Sequence, residues 1–487
     1  VSMLRIWGGG IYEADRFFTC CEEKGILVWS DFMFACGVYP QDSAFLAQVQ
    51  VEGEYVVRNY RNYTALALWS GDNENGQAYG WAGRPYEYRQ DKISTQVLKE
   101  ICERLDPGRF YLPTSPDSPD ERIIGGDNPA SPYQGDTHLY IMSADPGKRA
   151  NGDYGKNYYK RILGYRPRFI SEFGFISFPE KESFYRFNFK REEIISQDEL
   201  MEFLPFAAEL LKKGEVDQAI YFTPVYQAMA LKYWIDYFRS LKGTCFCCLY
   251  WKFNDPLSDR PEVGVFPSHM SMVDMYGNPR MAYYVTRRAY EDVIVAFVET
   301  TEGSIQVIAC NEGEAEYSGS LTLTRRTFLG KILSEKTMDC TIPADGTATL
   351  YQCTKEECIS QNPSGEYLKA SFIGKEVCCE NRYFFRDIYE INQLALPPVE
   401  IQVRSAVRKG KNLSIQLYTE LFARSLRLNL LDHTADYSDN YFDMDADTER
   451  TVEIVLRSEQ DMDSAALYLE GENLTRKVLP LADFLRR

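Results

Sequence analysis

Short apolar runs and helix-period stretches take turns through the first 290 residues, and no other feature restricts the fold as much. SMLRIW reads as a strand, EADRFFTCCEEKG as a helix closed by glycine, ILVWSDF as a strand, VEGEYVVRNYRN as a helix and TALALWSG as a strand. DKISTQVLKEICERLD then has helical spacing. RFYLPTSP, GDTHLYIM and RFISEFG are strands, and a long helical region leads to CFCCLYWKFND and the helical AYYVTRRAYEDV. Such alternation implies parallel strands covered by helices. The strands near residues 3, 26, 65, 109, 135, 168 and 245 number seven. An eight-stranded (β/α)8 TIM barrel needs one more. Because the chain opens directly in a strand, we expect strands two to eight here and the first strand upstream. An open doubly wound sheet is the rival, but no GxGxxG follows a strand, which weakens its nucleotide-binding form.

After about residue 293 the pattern changes. IVAFVET, SIQVIAC, SGSLTLTRR, TATLYQC and YLKASFIG alternate apolar and polar residues between Gly, Pro, Asn and Asp. They predict a β-sandwich over 293–395. VEIQVRSAVRKG, NLSIQLYTE, SLRLNLLD, TVEIVLRS and SAALYLEGE predict a second, C-terminal sandwich over 396–487. The barrel then occupies 1–292.

Composition excludes several function classes. A net charge of −17 without a long basic run argues against tracking nucleic-acid phosphates. No stretch of 18 apolar residues occurs, so no membrane partner is expected. The 13 cysteines include two adjacent pairs, Cys20-Cys21 and Cys378-Cys379, and the cluster Cys245, Cys247 and Cys248. They read as buried free thiols in a reducing compartment, the bacterial cytoplasm, although an unseen leader leaves export or a lysosomal route open. With three histidines and no paired CxxC spacing, no metal site is expected. Aromatic residues make up 14% of the chain. They suit either a large core or a sugar cleft, which is apolar on one side and wet on the other.

In barrel enzymes the catalytic groups stand at the C-terminal ends of strands. Glu74 follows ALALWSG and Glu172 closes RFISEFG, so both can face one mouth. Two such acids suit glycoside hydrolysis, one protonating the leaving oxygen and the other attacking the anomeric carbon or activating water. The acid needs a pKa raised by burial or by its partner's charge. The bland alternatives are that Glu74 caps the next helix and that Glu172 pairs with a cation such as Arg168.

MLRIWGGGIYEADRFF, ILVWSDFMFACGVYP, RNYTALALWSGDNEN, GDTHLY, RFISEFGFISFP, YWKFND and, near the end, YSDNYFD resemble, in order, segments of the β-mannosidases of glycoside hydrolase family 2. The resemblance implies a retaining double displacement, with Glu74 as acid/base and Glu172 as nucleophile. It implies that Asn73 contacts the hydroxyl beside the anomeric carbon and that Trp251 floors the sugar site. His138 and Tyr140 fall in the substrate pocket, and Trp7 and Asp31 near the mouth. For Asp31 the bland alternative is a structural salt bridge. Tyr140 stands where the family often has tryptophan, Tyr63 where histidine is usual and Asp72 where asparagine is common. The first of these departures bears on sugar specificity.

The expected substrates are β-mannoside oligosaccharides or glycan-derived fragments bearing a terminal non-reducing β-D-mannose, and no cofactor is expected. Two alternatives stay open: another family 2 exo-β-glycosidase of β-galactosidase or β-glucuronidase type, and a non-catalytic carbohydrate-binding remnant. Complete family members also carry N-terminal domains and a first barrel strand, which this chain is expected to lack.

Overall fold

A computed structural model describes residues 1–84, 90–117, 135–140, 158–186, 205–255, 270–354, 356–386, 393–431, 434–458 and 465–486, with single residues 87 and 390. Ile141 and Met142, the end of the expected strand GDTHLYIM, lie outside them. The chain divides into two compact units. The first is Val1–Tyr140, Tyr165–Gly174 and Gly243–Trp251; the second is Ile141–Gly164, Phe175–Lys242 and Lys252–Arg487.

The first unit holds the parallel strands. β1 (Met3–Ile6), β2 (Leu27–Asp31), β3 (Leu66–Ser70) and β4 (Phe110–Leu112) form one sheet in sequence order. β5 (Thr137–Leu139), β6 (Ile170–Phe173) and β7 (Cys248–Tyr250) form a second. All paired neighbours within both sheets are parallel. The seven described strands match the sequence reading, and among the described residues they pair as two parallel sheets without tracing a closed barrel. β4, β5 and β7 are three residues each, which leaves few backbone groups to continue the ladder. Residues 118–134, between β4 and β5, lie outside the described residues.

Helices α1 (Asp15–Lys24), α2 (Ser43–Tyr60), α3 (Asn75–Trp81) and α4 (Leu98–Leu105) belong to this unit. α1 ends where Gly25 takes φ 66° and its N–H reaches the carbonyls of Cys21 and Glu22, a left-handed stop that glycine adopts without steric cost. α2 begins where the Asp42 carboxylate accepts from the N–H groups of Ala44 and Phe45, satisfying donors that a helix start leaves orphaned. Phe18, Val28, Phe32, Val57, Trp69 and Leu98 share the core between these helices and the first sheet.

In the second unit, α5 (Lys181–Arg186), α6 (Pro205–Lys213), α7 (Val216–Ser240) and α8 (Met281–Ala289) accompany two antiparallel sandwiches. The first contains β8 (Val293–Glu299), β9 (Ile305–Asn311), β10 (Tyr317–Thr327), β11 (Ile332–Ile342), β12 (Gly346–Gln352), β13 (Glu366–Gly374) and β14 (Cys378–Phe384). Its sheets run β11-β10-β13-β14 and β12-β9-β8. The second contains β15 (Gln402–Lys409), β16 (Asn412–Thr419), β17 (Ala423–Leu430), β18 (Ala435–Tyr437), β19 (Phe442–Met444), β20 (Thr448–Leu456), β21 (Ala466–Glu470), β22 (Lys477–Pro480) and β23 (Leu485–Arg486). β16 shows why the pattern was readable: Leu413, Ile415 and Leu417 point into the core while the residues between them face outward.

All 13 cysteines are unpaired, as expected, but they are not uniformly buried. Cys21 and Cys245 are buried, Cys20, Cys247, Cys248 and Cys379 are half-buried, and Cys378 and Cys36 are exposed. Cys378 opens β14, an edge strand, where alternate side chains face solvent. No described helix is long and apolar enough to cross a membrane.

Candidate active site

The expected residues converge within the first unit, at the C-terminal ends of its strands. Beyond β2, β3 and β4 the chain keeps pairing through isolated bridges, Ala35 with Asn73 and Asn73 with Ser115. Cys36 N–H donates to the Asn73 carbonyl at 2.8 Å and Glu74 N–H to the Ser115 carbonyl at 2.8 Å. These bonds bring Cys36, Glu74 and Ser115 to one end of the sheet. His138 and Tyr140 come from β5 and just beyond it, Glu172 from β6, and Trp251 directly follows β7.

Glu74 sits at the N-cap position of α3, but its side chain makes no capping bond. Asp72 does that work, accepting from Asn75 N–H at 3.0 Å. Glu74 has a left-handed backbone, φ 59°, a costly conformation for a non-glycine residue that concentrates at functional sites. Its Oε1 lies 2.7 Å from His138 Nδ1, and Cys36 Sγ lies 3.5 Å from its Oε2. Burial raises the Glu74 carboxyl pKa, against the lowering effects of Cys36 and Arg5. Burial also drives the His138 imidazole down to about 4, which makes the ring neutral at pH 7.

Glu172 is 4% exposed. Its cation is Arg5, not Arg168: Arg5 Nη1 donates to Glu172 Oε1 at 2.5 Å, while Arg168 stacks over Phe246 with its guanidinium 5.0 Å from the ring centre. Tyr140 donates its hydroxyl to Glu172 Oε2 at 2.7 Å. Arg5 also donates to both oxygens of Asp31, at 3.2 and 2.7 Å, and to Asn73 Oδ1 at 2.9 Å. Burial opposes the guanidinium charge, but Asp31 and Glu172 outweigh it and hold the Arg5 pKa above its ordinary value.

Asp31 is fully buried and further accepts from Gly8 N–H and Trp29 Nε1. Both of its oxygens accept from Arg5, so it orients the guanidinium through a buried salt bridge. Gly8 explains part of the WGGG run. A Cβ there would stand 2.4 Å from the Phe34 carbonyl oxygen and 2.8 Å from that of Phe32. Trp7 and Trp251 meet edge to face, ring centres 4.7 Å apart. Tyr63 stacks on Phe18 at 4.7 Å and belongs to the core.

Glu74, His138 and Glu172 each offer an atom within 4.8 Å of the others. A cation there would have to displace the bonds that Arg5 and Tyr140 make to Glu172 and that His138 makes to Glu74. The arrangement is instead a paired acid set: one carboxyl pushed toward its protonated form, and a second held by a guanidinium and a phenol. Two acids in such different surroundings can divide the work of proton donor and nucleophile.

Sequence reasoning missed Arg5, Cys36, Ser115, Asp136 and Ser171. Arg5 carried a usable signal as the lone charge in the apolar strand SMLRIW, on the same face as Trp7. The hydroxyls and Asp136 carried none.

Comparison with known proteins agrees with the fold. A family model described as a mannosidase Ig/CBM-like domain matches residues 303–388, and an Ig-fold domain model of mannosidases matches 395–467. The β-mannosidase of Bos taurus is 27% identical over 410 residues, covering 74% of this chain and 44% of its own length. β-Mannosidase B of Aspergillus niger is 30% identical over 324 residues, covering 60% and 35%. The chain thus spans less than half the length of these relatives. The crystal structure of a β-D-mannosidase from Dictyoglomus thermophilum superposes with a TM-score of 0.77 at 29% identity, over 98% of this chain and 56% of that one. An Amycolatopsis orientalis exo-chitosanase, 13% identical with a TM-score of 0.67, shares the fold.

Proposed function

We propose, from the fact that this chain belongs to the β-mannosidases of glycoside hydrolase family 2, that the complete protein is an exo-acting, retaining β-mannosidase. It removes terminal non-reducing β-D-mannose from oligosaccharides. The observation that carries the mechanism is that a carboxylate oxygen of Glu74 and one of Glu172 lie within 4.8 Å of each other. Retaining glycosidases keep their two carboxyl groups about 5–5.5 Å apart, whereas inverting enzymes need roughly 6.5–9.5 Å to admit a water.

In this reading a Glu172 oxygen attacks the anomeric carbon. The bond to the leaving oxygen breaks as Glu74 gives that oxygen its proton. Glu74, now a carboxylate, takes a proton from water whose oxygen attacks the same carbon, and the bond to Glu172 breaks. Arg5 and Tyr140 keep Glu172 aimed, and Asn73, held by Arg5, meets the neighbouring hydroxyl. Trp251, with Trp7 against it, offers an apolar face to the sugar. The eight-stranded barrel, the boundaries 1–292, 293–395 and 396–487, and a reducing, cytoplasmic compartment belong to the same reading. The unpaired cysteines support the last.

The test is hydrolysis of an aryl β-mannoside by the intact-length protein, with the product anomer read by NMR. Release of β-mannose as the first product is expected. Turnover confined to β-galactosides or β-glucuronides would remove mannose from the proposal, and α-mannose as first product would remove retention. Glu172→Gln abolishes turnover. Glu74→Gln spares activated leaving groups more and is rescued by an added small anion.

A further inference from the structure

Behind His138 lies a chain of hydroxyls ending on a carboxylate that the two-acid mechanism does not use. Ser115 Oγ lies 3.0 Å from His138 Nε2 and 2.7 Å from Asp136 Oδ2. Asp136 also accepts from the Ser171 hydroxyl and, at 2.7 Å, from Asp117 N–H. Ser115 is fully buried, and Ser171 is 2% exposed. The Ser115 hydroxyl has one hydrogen, and the carboxylate is the nearer and stronger acceptor. With that hydrogen spent on Asp136, the Ser115 oxygen can only accept from His138 Nε2. A neutral imidazole carries one N–H, so Nδ1 is then bare. It faces Glu74 Oε1 at 2.7 Å, where a bare nitrogen needs a donor.

We propose that Asp136 and Ser115 are positioning residues that hold the neutral His138 ring with its hydrogen on Nε2, so that Nδ1 accepts a hydrogen bond from the protonated Glu74 carboxyl and keeps that carboxyl loaded as an acid. The opposite tautomer would donate to Glu74 and favour its ionised, proton-accepting form. The relay deepens the reading of Glu74 as acid/base and rests on it. Among the described residues, the charged and titratable groups facing the pair are few. Arg5 on β1 has Nη1 3.4 Å from Nε2, farther than Ser115 Oγ at 3.0 Å, and one of its two hydrogens is engaged at 2.5 Å by Glu172. Glu172 on β6 lies 3.5 Å from Nδ1, too far to replace the Glu74 contact. Cys36, after β2, donates weakly to the other Glu74 oxygen. Tyr140 is bonded to Glu172, and Asp136 lies behind Ser115.

The experiment uses the full-length protein with nitrogen-15 histidine, the His138 signals being identified by their loss in His138→Gln. At neutral pH the two-bond proton–nitrogen spectrum is expected to show His138 protonated at Nε2. A hydrogen on Nδ1 overturns the proposal. In Asp136→Asn, whose amide can donate to Ser115 and reverse the relay, the hydrogen is expected to move to Nδ1. The basic limb of kcat/KM for an alkyl β-mannoside should then fall by about one pH unit, the scale of one hydrogen bond to the proton. The loss should be about tenfold larger for the alkyl than for a dinitrophenyl β-mannoside, whose leaving group needs little protonation. An unmoved basic limb in a folded Asp136→Asn or Ser115→Ala protein also overturns it. If the wild-type spectrum shows Nε2–H but no glycoside is hydrolysed, the relay stands and the mannosidase reading falls.

Discussion

Replacing Arg5 with methionine tests the centre of the site. Methionine keeps much of the length and apolar volume of arginine but none of its donors. In the native protein the Arg5 side chain is 6% exposed and the Asp31 side chain 0%. The substitution removes two charge-assisted bonds from Asp31, one from Glu172 and one from Asn73. Among the described residues, Asp31 then retains only Gly8 N–H and Trp29 Nε1. Breaking a buried ion pair from one side costs about 3–5 kcal/mol, because the remaining charge stays buried without its partner. Urea unfolding of Arg5→Met, Asp31→Leu and the double variant, followed by tryptophan fluorescence, measures this. The double variant should be less destabilised than Arg5→Met alone, since it leaves no orphaned aspartate. A loss below about 1 kcal/mol in Arg5→Met, the range of an exposed pair, would refute the reasoning. So would a double variant whose loss is the sum of the two single losses.

Other expectations concern separate parts of the structure. Asp72 is fully buried, and burial raises its carboxyl to about 8, against the lowering effects of Ser94, Thr114 and Asn75. A carboxyl raised in the fold contributes stability that is complete below its unfolded pKa and lost as pH rises through the folded value. Stability should therefore decline between about pH 4 and 8, and Asp72→Asn should flatten that slope; an unchanged slope in pH-dependent urea titrations would contradict this. Gly8→Ala would drive a Cβ into the Phe34 and Phe32 carbonyls. A cost of about 1–3 kcal/mol is expected, read as a lower Tm. Trp251→Ala should raise KM for mannosides more than it lowers kcat, if stacking binds substrate and transition state alike. Leu417→Ala, in the fully buried core of the second sandwich, should cost about 2–5 kcal/mol and leave kcat at low temperature unchanged.

The sequence by itself determined the elements whose patterning is local. α1 between Asp15 and Gly25, the alternation of β16 and the seven apolar runs of the parallel strands all carried their period in adjacent residues. β11 and β14 were not legible, because both are sheet edges. ILSEKTMDCTI is mostly exposed, and CCENRYF is half-buried, so neither needs a clear apolar alternation. The two glutamates were visible as strand-end acids, and the motif series assigned them roles. Whether Glu74 capped α3 or faced a site could not be read, because Asp72, Asn73 and Glu74 all offer oxygens to the same helix start. Only the fold turned Glu74 away by its left-handed backbone and gave the cap to Asp72. It also chose Arg5 over Arg168 as the partner of Glu172, across 167 residues. The same fold aligned Ser115 and Asp136 behind His138. Side-chain pairing across strands depends on which strand ends meet and at what register, and that information lies in the packed sheets, not in any window of residues.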